Sequence, residues 1–195
     1  MFRSWILVLV FVGGILSSLS AVHESDIEGF MENQINKVTE LLKDTNQSKE
    51  MKSTSIYEIL DSVFDYALIS KLSLGKKQWN SLSSEEKKQF QEVFEVHLKR
   101  SYVDKLALYS NQKVVIKGIK KSKKSRIILL TDLVGSDEVY NLNYKFYKKS
   151  KEADWWIYDV DIVGVSLIKT YRAQFKDIFK DTIFKEVLAK LKDHK

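Results

Sequence analysis

Cysteine and proline are both absent from this 195-residue sequence, and histidine occurs only three times. The lack of cysteine excludes disulfide bonds, thiolate metal sites, cysteine nucleophiles and a lipid-modified N-terminal cysteine. His23 and His194 lie near the two ends, and His97 falls beside the apolar row of a predicted helix, so we expect His97 to be a core residue. Metalloprotease, nucleophile-elbow and phosphate-loop motifs are also missing. We therefore predict no enzymatic activity, no metal and no cofactor.

The first 21 residues have the features of an export signal. Arg3 supplies positive charge, residues 5–16 are apolar, and residues 17–21 are small enough for cleavage. The apolar stretch is shorter than the roughly 18 residues that a membrane-spanning helix needs, and an uncleaved anchor is the alternative. We predict a signal peptide over residues 1–21 and one folded domain over residues 22–195, located in the periplasm if the source is a Gram-negative bacterium.

The N-terminal half of the domain has a helical apolar period. Three capping boxes, each a serine followed three positions later by a glutamate, predict helix starts at Ser25, Ser55 and Ser83. The second helix is expected to end near Gly75. The third helix carries one apolar i,i+4 row, which comprises Phe90, Phe94, Leu98, Tyr102 and Leu106.

The apolar period then changes from 3.6 to 2. Segments rich in β-branched and aromatic residues occupy positions 113–119, 126–134, 138–148 and 154–163. Short polar turns join them, which favours an antiparallel meander. The helical period returns after Gly164, over Leu167–Ile178 and Ile183–Leu191. The fold class is therefore α+β: N-terminal helices, a four-stranded or slightly larger antiparallel twisted sheet, and C-terminal helices.

Alternation along the strands predicts which side chains face the interior. The inward set is Tyr140, Leu142, Tyr144 and Phe146 in the third strand, and Trp156, Tyr158, Val160 and Ile162 in the fourth. Asp159 and Asp161 are then expected on the opposite face, solvated or in salt bridges. An inward carboxylate beneath tyrosines would instead suit proton transfer of the ketosteroid isomerase kind. Periodicity alone does not distinguish a filled aromatic core from a core that contains a slot.

Lysines cluster at residues 76–77, 120–126 and 148–151. The last two clusters fall at predicted hairpin turns, where lysines keep strand ends soluble. The alternative is that they attract anionic lipid headgroups or an acidic partner. We expect no nucleic-acid binding, because no recognised binding motif is present.

A series of short motifs resembles the MlaC family of periplasmic phospholipid-binding proteins, also called toluene-tolerance auxiliary proteins. The motifs follow the family's order from about Ser53 to Leu191, although Asp181-Thr182 stand where a glycine is common in the family. They are Leu74-Gly75, Trp79, Ser83-Ser84-Glu85-Glu86, Phe90, Phe94, Leu98, Tyr102, Tyr109-Ser110-x-Gln112, Trp155-x-Ile157-Tyr158-Asp159-Val160, Gly164-Val165-Ser166-Leu167 and Tyr171-Arg172-x-Gln174-Phe175.

The resemblance implies a soluble periplasmic carrier that holds phospholipid as cargo by its acyl chains. It would shuttle the lipid between an outer-membrane lipoprotein complex and an inner-membrane ABC transporter with a periplasmic lipid-handling domain, and so support outer-membrane lipid asymmetry. Isomerase-like catalysis and a ligand-free adaptor or chaperone are the alternatives. An ion pair between Asp159 and Arg172 is a further structural expectation. We expect an apolar cavity between sheet and helices, lined by Phe90, Phe94, Leu98, Tyr102, Leu142, Tyr144, Phe146, Trp156, Tyr158, Val160, Val165, Leu167, Ile168 and Tyr171.

Overall fold

The computed structural model describes residues 24–106, 112–136, 138–149 and 154–193. Helices come first, followed by strands and then two further helices, so the predicted α+β class is confirmed. The elements are α1 (Ile27–Lys43), α2 (Lys49–Asp61), α3 (Tyr66–Leu74), α4 (Lys76–Ser81), α5 (Ser84–Leu106), β1 (Lys113–Lys123), β2 (Arg126–Val134), β3 (Val139–Lys148), β4 (Trp155–Ile162), β5 (Val165–Ser166), α6 (Leu167–Asp181) and α7 (Phe184–Lys192).

Several predictions concern residues outside the described part of the chain. They are the signal peptide over residues 1–21, and the roles given to His23, His194, Tyr109, Ser110 and Lys151. Among the described residues, no helix combines the length and the apolar character that crossing a bilayer requires.

The capping box at Ser83 is formed as predicted. The Ser83 backbone N–H donates to the Glu86 carboxylate at 2.8 Å, and the Glu86 N–H donates to the Ser83 hydroxyl at 3.2 Å. The box at Ser25 is not formed, because the Ser25 hydroxyl donates to the Asp26 carboxylate instead. Helix α1 begins directly after a short 3₁₀ turn, Glu24–Asp26.

The helix predicted to begin at Ser55 is in fact two helices, so that prediction is wrong. Helix α2 begins after Ser48, whose hydroxyl accepts from the Met51 N–H at 3.2 Å. Helix α3 begins after Asp65, whose carboxylate accepts from the Leu68 N–H at 2.9 Å. Residues between the helices leave the helical conformation because they pair with the sheet.

That pairing joins residues 63–65 to strand β4. The Asp65 N–H donates to the Ile157 carbonyl, and the Ile157 N–H donates to the Val63 carbonyl, both at 2.9 Å. Phe64 and Ile157 thus form a parallel bridge. The local sequence pattern favours a helix here, but hydrogen bonds to a strand far along the chain hold these residues in an extended conformation.

The sheet has the order β1-β2-β3-β4-β5, with every neighbouring pair antiparallel. The predicted meander is therefore confirmed, with one short strand added. Strand β5 follows β4 after a two-residue turn, Val163-Gly164, in which both residues have positive φ angles, 52° and 77°. Positive φ at both positions matches the right-handed twist of the strands that such a turn connects.

A β-bulge at Tyr158 changes the alternation along β4. Lys145 pairs with Asp159 and Phe146 pairs with Ile157, which leaves Tyr158 without a partner on β3. Trp155 and Ile157 are consequently buried on the same face as Val160. The prediction that Trp156 and Tyr158 share the inward face with Val160 is wrong, since simple alternation assumes a strand without a bulge.

Two hydrophobic cores hold the molecule together. The helical core contains Phe90, Phe94 and Leu98 of α5 with residues of α3, α6 and α7. His97 belongs to it as predicted, because it is buried and its ring lies 3.2 Å from the Tyr171 hydroxyl. The sheet core packs Ile27 and Met31 of α1 against β2, β3 and β4.

Candidate functional site

One face of the sheet carries rows of apolar side chains that are buried at one end and partly exposed toward the other. Residues directly opposite each other on neighbouring strands share a face, so strand pairing defines the rows. From the covered end to the open end, the rows are Ile127–Phe146–Ile157, Leu129–Tyr144–Val160, Leu142–Ile162–Val165 and Leu133–Tyr140. We call these residues the apolar face.

The two ends of the apolar face differ sharply in burial. Ile157 is 0% exposed in the first row, whereas Ile162 is 41% and Val165 is 59% exposed in the third. Helix α1 covers the first row with Ile27 and Met31. Large apolar side chains left accessible in a contiguous group are unusual on a folded domain and mark sites of interaction.

Tyr144 lies at the boundary between the covered and the open rows. Burial raises the pKa of Tyr144 to about 12, although its side chain keeps some accessible surface. The hydroxyl group therefore lies in surroundings that are poor in water, beside a part of the face that remains open. That combination suits contact with an apolar ligand and not with a charged one.

The opposite face of the sheet is polar around Asp159. This carboxylate is buried and not solvated, and the predicted alternative of a salt bridge is confirmed by its contact with Lys145. Each of its oxygens accepts two bonds. Oδ1 accepts from the Val160 N–H at 3.0 Å and the Ile168 N–H at 3.1 Å. Oδ2 accepts from the Ser166 hydroxyl at 2.7 Å and the Lys145 ammonium group at 3.0 Å. The group fixes β4 to the start of α6 and has no lone pair left for a substrate.

The expected ion pair between Asp159 and Arg172 is not formed. The Arg172 side chain donates to the Leu72 carbonyl at 2.8 Å and lies beside Gly75. Lys145 takes the position of the cation instead and also contacts Asp161 at 2.6 Å. Burial alone would lower the pKa of Lys145, but hydrogen bonds to the two aspartates outweigh burial and raise it.

The predicted site residues are divided between the two cores. Phe90, Phe94, Leu98, Ile168 and Tyr171 are buried in the helical core, where Tyr102, Tyr158 and Leu167 are partly buried. Phe90 and Phe94 stack with their centroids 5.4 Å apart and keep no accessible surface. They form part of a solid aromatic core in this structure.

The remaining predicted residues lie on the sheet. Leu142, Tyr144, Phe146, Val160 and Val165 share the apolar face, so the structure brings these five together. Trp156 lies on the other face, where the Lys149 ammonium group is 4.6 Å from the centroid of its ring.

The predicted set of cavity-lining residues did not include Tyr140, Ile162 and Leu133, which complete the open rows. Period-2 alternation already placed Tyr140 and Ile162 on the inward side. Leu133 could have been found from the same alternation in β2. The sequence did not show that α1 packs Ile27 and Met31 into the sheet core while Ile162 and Val165 stay exposed.

A separate groove of about 730 Å³ lies between α1 and α2. Its lining is mostly polar and comprises Gln34, Lys37, Glu40, Leu41, Asp44, Gln47, Ser55, Glu58, Ile59 and Ser62. Such a lining is unsuited to acyl chains. The groove is distinct from the predicted apolar cavity between sheet and helices, which stays a prediction.

Three comparisons with known proteins agree. The family model described as MlaC protein matches residues 32–193. A protein of Haemophilus influenzae strain Rd, named intermembrane phospholipid transport system binding protein MlaC, is 26% identical over 178 residues, covering 86% of this chain and 81% of that protein. A phospholipid-binding protein from Ralstonia solanacearum, solved in complex with a phospholipid, has a TM-score of 0.69 at 22% identity, covering 84% of this chain and 93% of that one.

Proposed function

This chain belongs to the MlaC family, and we propose that it is a periplasmic carrier that holds phospholipid by its acyl chains. The observation that carries the proposal is the apolar face, whose rows change from fully buried to largely exposed within one sheet. The names of the relatives from H. influenzae and R. solanacearum, which refer to phospholipid transport and phospholipid binding, support the same assignment.

The energetics of lipid transfer explain why such a face is needed. Each acyl methylene removed from water contributes about 0.8 kcal/mol, so two chains of common length contribute about 25 kcal/mol. A carrier must offer a surface nearly as apolar as the bilayer interior, or the lipid will not leave the membrane. Leu142, Ile162 and Val165 provide accessible apolar surface of this kind.

The acyl chains would contact the open rows and the boundary with the covered rows. We assign direct contact to Leu142, Tyr144, Val160 and Val165, with Tyr102 and Leu167 in the adjoining helical wall. Tyr158 is not assigned to this contact, because its ring lies against Arg126 at the other end of the sheet. Phe90, Phe94, Leu98, Phe146, Ile168 and Tyr171 are buried and would hold the walls in place. The headgroup would remain hydrated at the open end, where it needs no specific partner.

A carrier of this kind receives lipid from one membrane system and delivers it to another. An outer-membrane lipoprotein complex and an inner-membrane ABC transporter with a periplasmic lipid-handling domain are the partners that this role requires. The word intermembrane in the name of the H. influenzae relative supports such a route. No covalent step is involved, and the lipid is cargo. The full hydrogen-bonding of Asp159 argues against a catalytic base on the sheet.

Lipid extraction of the purified protein, followed by mass spectrometry, tests the proposal. We expect phospholipid to co-purify with the wild-type chain and to be lost from Val165→Asp, because a carboxylate on the open rows would have to be desolvated by the acyl chains. Val96→Asp is the matched control, since Val96 on α5 is 54% exposed and Val165 is 59% exposed. Protein that is empty when isolated from a lipid-rich host, or equal lipid in both variants, would contradict the proposal.

A further inference from the structure

The β1–β2 turn and the C-terminal end of β3 lie side by side at one end of the sheet. Arg126 pairs with Tyr147, and the Lys148 N–H donates to the Ser125 carbonyl at 3.1 Å. The two lysine clusters of the sequence thereby become one surface. We call this surface the basic end; its described cations are Lys120, Lys121, Lys123, Lys124, Arg126, Lys148 and Lys149.

Most of these cations have no ion-pair partner among the described carboxylates. Within the described residues, the ion pairs at the basic end are Lys121 with Glu24 at 2.8 Å and Lys149 with Asp65 at 3.1 Å. Lys120, Lys123 and Lys124 are exposed and have no described carboxylate within ion-pair distance. The surplus of cations attracts anions at long range, because the electrostatic potentials of neighbouring positive charges add together.

Aromatic rings underlie three of the cations. Lys148 lies 6.0 Å from the centroid of the Trp155 ring, Lys149 lies 4.6 Å from that of Trp156, and the Arg126 guanidinium lies 4.7 Å from that of Tyr158. These contacts hold the cations near the strand ends. Trp155 is buried, but Trp156 and Tyr158 keep accessible surface. Accessible tryptophan and tyrosine beside basic residues are favoured at membrane–water interfaces.

The composition of the basic end favours a lipid surface over a protein. Protein interfaces are depleted in lysine at their centres and enriched in arginine, which binds carboxylates in a fixed geometry. Here the exposed, unpaired cations are lysines, and Arg126 is engaged with Tyr158. Lysine ammonium groups suit a diffuse layer of negative charge, to which each contributes without a fixed partner.

We propose that the basic end docks the protein on a bilayer surface that contains anionic phospholipid. This inference rests on the proposed carrier function, and it adds the kind of membrane that the carrier would touch. In the antiparallel meander, the basic end lies at the opposite end of the sheet from the turn at Val163-Gly164, which adjoins the open rows. A bilayer bound at the basic end leaves Ile162 and Val165 uncovered, so docking and lipid loading are separable.

Co-sedimentation with vesicles tests the docking. Wild-type protein is expected to bind vesicles of phosphatidylcholine with phosphatidylglycerol and not to bind vesicles of phosphatidylcholine alone. Salt is expected to release the bound protein. The triple variant Lys120→Glu, Lys123→Glu, Lys124→Glu is expected to bind the anionic vesicles at least about 100-fold more weakly, since each lysine near a charged surface contributes about a fivefold effect.

A second triple variant controls for net charge. Lys176→Glu, Lys185→Glu, Lys190→Glu makes the same charge change at exposed positions on α6 and α7. Equal loss of vesicle binding in both variants, or no binding by the wild-type chain at low salt, would overturn the docking proposal. The latter outcome would leave an acidic protein as the partner of the basic end.

Lipid extraction of the same samples separates the two proposals. Lipid-loaded protein that does not bind anionic vesicles would contradict docking alone. Protein that binds anionic vesicles but carries no lipid would contradict the carrier function alone. The basic-end variant is expected to retain its lipid, because its substitutions lie at the opposite end of the sheet from Val165.

Discussion

The Asp159 carboxylate of β4 accepts a 3.1 Å hydrogen bond from the backbone N–H of Ile168 in the first turn of α6. Helix N-termini carry unsatisfied N–H groups and a partial positive charge, so a carboxylate placed there is stabilised. Because Asp159 also accepts from Ser166 and Lys145, one buried group joins two strands and a helix. The stability of the C-terminal half should depend on it.

Replacing the buried Asp159 with asparagine is expected to lower the free energy of unfolding by about 3 kcal/mol, because the half-buried Lys145 loses a partner and an amide group faces two donors. Urea denaturation measures the change. Asp161→Asn is the control: Asp161 is more exposed and contacts Lys145 alone among the described partners. An equal loss in both variants would show that burial of Asp159 has no special effect.

The stability should decline in acid through Asp65. Burial alone would raise the pKa of Asp65, but hydrogen bonds from the Tyr147 hydroxyl, the Leu68 N–H and Lys149 outweigh it and lower the pKa. The unfolded chain, with a carboxyl pKa of about 4, therefore binds the proton first as the pH falls. The stabilisation is complete above that pH and is lost as the pH falls through the lower folded value.

The difference in unfolding free energy between wild type and Asp65→Asn, measured in urea at pH 7 and at pH 3, reports this effect. We expect the difference to be smaller at pH 3. A difference that is the same at both pH values would mean that Asp65 contributes through its shape and not through its charge.

Val163 should be stabilised by replacement with asparagine. A β-branched residue with a φ of 52° is strained, at a cost of about 1–2 kcal/mol, and asparagine is favoured at the first position of this two-residue turn. Val163→Asn is expected to raise the urea midpoint. Val139→Asn is the matched control, since both valines are 59% exposed and Val139 lies in strand β3. A fall in stability for Val163→Asn would indicate that its exposed side chain makes a stabilising contact.

Phe94 should be among the most sensitive residues of the helical core. Its ring lies 4.9 Å from that of Tyr171 and 5.3 Å from that of Phe175, and it is fully buried. Phe94→Ala is expected to cost about 3–5 kcal/mol through lost burial and a cavity. Val96→Ala, an exposed position on the same helix, is expected to change stability by less than about 0.5 kcal/mol.

Local signals in the sequence predicted the structure best. The Ser83 capping box and the i,i+4 row of α5 depend on residues within one or two turns. The box is formed, and the row is present from Phe90 to Tyr102, while the side chain of Leu106 lies outside the described part. The break between α2 and α3 depends on hydrogen bonds between Val63, Asp65 and the distant Ile157. No local pattern in the sequence encodes that contact.

The candidate site shows the same division. Alternation in β3 correctly placed Leu142, Tyr144 and Phe146 on one face. The bulge at Tyr158 reversed the expectation for Trp156, because an inserted residue moves every side chain before it to the other face. The burial of Asp159 depends on where the chain turns after Gly164, which brings Ser166 and Ile168 back beside β4.

The pairing of Val63 and Asp65 with Ile157 also bears on how this chain avoids aggregation. The outer edge of β4 is occupied at Ile157 by this segment and at Asp161 and Ile162 by β5. A strand of another molecule could pair with β4 at these positions only by displacing this chain's own backbone. Strand β1 is the other border, and its lysines and the irregularity at Gly118 discourage such an extension. A domain with exposed apolar side chains on its sheet is thereby protected from polymerising through the sheet edges.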